Sequence, residues 1–200
     1  LGDVYKRQVY VDFADITLAW GKSIIAHELQ HLLHNAQDPY ENLWLDEGNA
    51  DVAIYLCFGA DGTLAGHLNG WTQQSDLSVR WWNQRNADYG AGFVFTMYLA
   101  DHLGGGPAVR QLVQDSATGG LGVENLALSP VSGQSGKIGR TMGEIFANFS
   151  IAATIDSDQG IYGFSNLDLN PSCGGSTFCR ITPADTNSDW STPWSSTGHT

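Results

Sequence analysis

The sequence predicts an α+β domain: a small N-terminal sheet packed on a first helix, followed by a mainly helical C-terminal half. Three observations carry that prediction. "VYVDF", from Val9, alternates as a strand does; "SIIAHELQHLLHNA" then follows at helical spacing; and several further apolar segments end in helix caps or glycine stops. With 200 residues, 42% of them hydrophobic, the chain is long enough for one domain with a real core.

The elements follow in order. "DVYKRQ", Asp3 to Gln8, reads as the in-frame translation of the transposon end used to prepare sequencing libraries; the alternative is an ordinary polar turn. Residues 1–8 are therefore set apart from the fold, and the N-terminal sheet is expected to be truncated. The strand at Val9 feeds a helix of about three turns. "LWLDEGNADVAIYLCFG" forms a second helical segment, stopped at Gly59. Next, Asp61 to Asp88 reads as a long Gly/Asn/Gln-rich connection. It is either a surface loop pinned by Trp71, Trp81 and Trp82 or a substrate-contacting segment. "YGAGFVFTMYLADHLGG" is a third helix with a glycine stop, and Pro107 opens a fourth. Thr141 and Glu144 have the spacing of a capping box and open a fifth. After Asp156 the chain turns polar; "DSDQG" there resembles a calcium loop faintly but reads as a solvated turn. The expected organisation is a domain over 9–157 and a polar linker, or the start of a truncated module, over 158–200.

Charge narrows the partners. A net charge of −12 with only 9 Lys plus Arg leaves little to neutralise phosphates, so no nucleic-acid partner is expected. No apolar run approaches the length of a membrane span. Cys173 and Cys179 flank "GGSTF" and could close as a disulfide, whereas Cys57 follows "VAIYL" and reads as a buried thiol. With many Trp, Gly, Ser, Thr and Asn and little Lys, the composition fits a secreted, extracellular protein, its signal peptide lost from this fragment. Oligomeric state is not legible.

One string carries chemistry. His27, Glu28 and His31 form H-E-x-x-H, which chance produces in about half a percent of chains of this composition. Residues four apart share a helix face, so both imidazoles can aim at one point and bind a metal ion. A catalytic zinc site needs a third protein ligand and an open position. Glu47 follows His31 after fifteen intervening residues, where an antiparallel return brings it beside the histidines; Glu41 and Asp46 are outside candidates. Asp51, four residues on, can accept a hydrogen bond from the non-ligating nitrogen of a histidine ligand. His34, His67, His102 and His199 read as surface or hydrogen-bonded histidines rather than ligands.

"HELQH" followed by "WLDEGNAD" resembles the zinc core of the gluzincin metallopeptidases, and "WLDEGNA" the aminopeptidase N type in particular. The helix beginning at Tyr89 is similar to the tyrosine helix of that type. The whole pattern, over Val9 to Ile155, resembles most the hyicolysin-like metallopeptidases. The resemblance implies a zincin-like fold, one catalytic zinc on His27, His31 and Glu47, and hydrolysis of a peptide or protein substrate. It further implies Glu28 as general base and Tyr89 as transition-state donor. The packing alternative for Tyr89 is a ring that merely fills a helix start. No G-x-M-E-N string is present, and endopeptidase action is favoured over aminopeptidase action. The reading from another class is a non-catalytic secreted module retaining a structural zinc site, against which the intact Glu28 speaks.

Overall fold

The computed structural model describes residues 20–59, 62–75, 77–130, 134–157, 159–167 and Leu169. Seven α-helices lie among them: α1 (Gly21–Gln37), α2 (Leu43–Phe58), α3 (Gly62–Thr72), α4 (Asn86–Leu103), α5 (Gly106–Gln114), α6 (Gly120–Leu128) and α7 (Met142–Ile155). The described residues contain no strand, which corrects the α+β expectation. The physical reason is visible in α4. From Gly90 to Ala100 every residue is buried, and a helix apolar on all sides must be enclosed. Here helices enclose it, α2 and α3 on its flanks, with α5 and α6 also against it, so no sheet face is needed. The alternating stretch at Val9 lies outside the described residues.

Aromatic packing continues outward from this helix. Phe95 meets Trp44 of α2 edge-on at 5.6 Å and Phe149 of α7 at 5.1 Å, while Phe93 meets Tyr55 at 5.9 Å. Residues beyond α7 return to the same core. Phe164, Leu167 and Leu169 are buried, and Tyr55 and Tyr98 donate their hydroxyls to the carbonyls of Asn166 and Ile161. Asp101 accepts the amides of Ser165 and Asn166, and burial outweighs these bonds to push its carboxyl up to about 6. Among the described residues, no helix is long and apolar enough to cross a membrane.

Helix ends follow local chemistry. Thr141 caps α7 with its hydroxyl on the Glu144 amide, and the Glu144 carboxylate accepts the Thr141 amide in return. Gly59 closes α2 at φ 71°, and Gly104 closes α4 in the left-handed region. The connection expected from Asp61 to Asp88 is partly helix: α3 buries Leu64, Leu68 and Trp71 on one side. Trp71 is thus a core residue, whereas Trp81 is 67% exposed. Cys57 is exposed, not buried. The apolar run before it is real, but Cys57 and Phe58 lie at the last turn of α2, past the neighbours that cover Ile54 and Tyr55. Cys173 and Cys179 lie outside the described residues.

The crossing of α2 and α4 depends on two glycines. A Cβ on Gly48 would stand 2.6 Å from the Gly92 carbonyl oxygen and 2.7 Å from Thr96 Oγ1; one on Gly92 would stand 2.6 Å from the Trp44 carbonyl oxygen. Gly48→Ala gains about 1 kcal/mol of helix propensity. It must also push two backbones apart, at an overpacking cost of about 1–3 kcal/mol that can exceed this gain. Net destabilisation in urea unfolding is the expected result; a more stable variant would show that the helices cross with room to spare.

Candidate metal centre

Four turns of α1 and the start of α2 bring three side chains to one point. His27 and His31 sit one helical turn apart, as their spacing requires. The chain reverses over residues 38–42 and α2 lies against α1, which brings Glu47 between the two imidazoles. Glu41, in that reversal, accepts the amides of Asn42 and Gly119 and ties the loop to the start of α6. Its Oε1 is therefore engaged in the loop, and Glu41 is not part of the group that could hold a metal ion.

The donor atoms form a near-equilateral triangle. His27 Nε2 lies 3.0 Å from Glu47 Oε2 and 3.0 Å from His31 Nε2, which is 3.3 Å from the same Glu47 oxygen. Ligands at zinc distances of about 2.0–2.1 Å in a tetrahedron stand about 3.3 Å apart, so the spacing fits such an ion. The chemistry of the donors fits as well. Asp51 Oδ1 accepts from His27 Nδ1 at 3.1 Å, which leaves Nε2 of a neutral ring with its lone pair toward the centre. Asp46 Oδ2 lies 2.9 Å from His31 Nδ1, a close ionic contact rather than an aligned hydrogen bond, with its other oxygen 2.8 Å from His34 Nδ1. Asp46 thus serves the far side of His31. Lone pairs and a carboxylate facing one another at these distances call for a cation, or protons, between them.

Electrostatics point the same way. Burial disfavours a charged His27, but bonds to Asp51 and Glu47 outweigh it and raise the imidazole to about 9. Burial likewise opposes charge on His31, which Asp46 and Glu47 raise to about 10. Glu47, opposed by burial, is held down at about 2 by the two histidines. The pocket is built to hold positive charge.

Some of the remaining residues that the sequence singles out stand near this triangle and others do not. Glu28 is exposed on α1 between the two histidines. Tyr89, in the first turn of α4, has its ring 6.4 Å from that of His27, stacks on His67 at 4.6 Å and meets Trp82 edge-on at 4.8 Å. Burial, then the carboxylates of Glu47, Asp51 and Glu28, raise its hydroxyl above the ordinary value, so it remains a donor. His102 bonds to the Gly163 carbonyl, away from the centre, and His199 lies outside the described residues. His34 is fully buried against Asp46. His67, read as an ordinary hydrogen-bonded histidine, does make a hydrogen bond, but its partner is Asp51. Its place beside the centre was not anticipated.

These features define a helical domain in which His27, His31 and Glu47 form a group that could hold a metal ion. No protein-family model matches the chain, and no curated protein matches it.

Proposed function

We propose that the chain is a zinc-dependent peptidase of the gluzincin kind, with His27, His31 and Glu47 holding the metal. The observation that carries this reading is the donor triangle, with two histidine nitrogens and one carboxylate oxygen 3.0–3.3 Å apart and the outer nitrogen of His27 bound to Asp51. Zinc held by these three residues would supply Lewis acidity toward a water and a substrate carbonyl.

The chain's own groups do the rest. Glu28, exposed beside the ligands, takes the proton of the attacking water and delivers it to the departing amine. Tyr89, a phenol with its pKa raised, donates to the carbonyl oxygen as that oxygen becomes negative. Asp51 holds His27 in the tautomer that offers Nε2. Three protein ligands with an exposed carboxylate alongside suit a catalytic site better than a structural one, which closes its fourth position with protein.

The test is metal content together with cleavage of a peptide library. Purified chain is expected to carry about one zinc, the number that three ligands and an open position accept. Glu47→Ala is expected to lose most of it. Full zinc in Glu47→Ala would move the third ligand elsewhere, and a zinc-loaded chain that cuts no peptide would leave a metal-binding module instead.

A further inference from the structure

α3 falls in the stretch that the sequence reads as a long connection, and the bond it supplies to the centre bears on the metal. Asp51 has 0% exposure, so neither of its oxygens is left to water. A buried carboxylate needs a donor on each oxygen. His27 Nδ1 serves Oδ1 at 3.1 Å, and His67 Nδ1 serves Oδ2 at 2.6 Å. A carboxylate only accepts, so both facing ring nitrogens carry the proton.

His67 is itself held from two sides. Its ring lies nearly parallel to that of Tyr89, at 21°. Its backbone is pressed against α4 at Gly90, where an added Cβ would collide with the His67 carbonyl oxygen and stand 2.7 Å from Trp71 Cβ. The chain Tyr89, His67, Asp51, His27 is therefore continuous from α4 through α3 and α2 to α1. The His31 side has no such aligned bond, because its contact with Asp46 is off the hydrogen-bonding direction.

We propose that His67 is a positioning residue of the metal centre: its Nδ1 hydrogen bond pins the second oxygen of Asp51, which keeps the first aimed at His27 and His27 Nε2 aimed at the metal. This rests on the metal reading above. With that bond gone, Oδ2 is a buried acceptor without a donor, and the carboxylate turns toward whatever donor it can reach. His27 then loses the partner that sets its tautomer and ring angle.

Two substitutions separate the bond from the ring. His67→Phe keeps a ring to stack on Tyr89 but has no donor; His67→Asn loses the ring and places an amide nitrogen near the old Nδ1. Zinc affinity is measured on the full chain by competition with a chromophoric chelator, and the visible spectrum of the cobalt-substituted protein reports ligand geometry. Loss of an outer partner of a metal ligand weakens binding by roughly ten- to a hundredfold, the loss expected for His67→Phe together with altered cobalt bands. His67→Asn is expected within about threefold of wild type, since the partner is restored. If the Phe variant does not fold, as judged by circular dichroism, His67→Ala against His67→Asn reads the same difference. Wild-type affinity without the donor, or equal loss in both variants, overturns the positioning role. A wild-type chain that takes up no zinc overturns the metal centre itself, and this inference with it.

Discussion

Glu28→Gln is expected to keep its zinc and lose peptide hydrolysis by about a hundredfold or more, the contribution of a positioned general base. The substitution preserves size and hydrogen bonding but removes the ability to accept a proton. Glu28 is not one of the three atoms of the donor triangle, and it is exposed on α1. Neither metal uptake nor stability has reason to change, because exposed substitutions usually alter stability by less than about 0.5 kcal/mol. The loss belongs in kcat, with KM little altered, since the proton moves only as the bond forms. Zinc quantification and steady-state kinetics on the same preparation check both halves. Unchanged turnover would remove Glu28 from the chemistry, and loss of zinc along with activity would make it a structural support of the centre.

The parts of this site that were legible in the sequence are those set by neighbours along the chain. His27 and His31 face one point because they are four apart. Glu47 was placed by the antiparallel return expected after His31 and by the resemblance carried by "WLDEGNA", and the structure brings it to both imidazoles. Gly48 in that string has a packing reason, since α4 passes too close for a side chain. What the sequence hid is tertiary. α3 carries Gly62, Gly66, Asn69 and Gly70, residues that read as loop. Yet a Cβ on Gly70 would stand 2.8 Å from the Ala87 amide, so this glycine answers a contact with the start of α4 rather than a turn. The signal that could have revealed α3 was Leu64, Leu68 and Trp71 at i, i+4 and i+7, all buried. Without that helix, His67 could not be placed beside Asp51. Helix α6 was missed for a similar reason: Val123, Leu126 and Ala127 form a short buried stripe among glycines. The expected sheet came from one alternating stretch, which carries no information on how α4 is covered.

Tyr89→Phe is expected to lower kcat and kcat/KM together, by roughly ten- to a thousandfold, with KM and zinc content little changed. The carbonyl oxygen of a bound peptide is a weak acceptor and becomes strongly negative only as the carbon turns tetrahedral, so the phenol contributes chiefly in the transition state. A raised pKa keeps the proton on the ring oxygen at working pH. The substitution isolates this role, because phenylalanine retains the stack on His67 and the edge contact with Trp82. A tyrosine that only packs would therefore lose almost nothing, and kcat would stay near wild type. In that event the donor has to come from elsewhere in the site. Tyr98 and His102 do not qualify, since they already bond to the carbonyls of Ile161 and Gly163 in the core. Kinetics on the folded, zinc-loaded variant separate a hydroxyl that acts on the substrate from a ring that holds His67 in place.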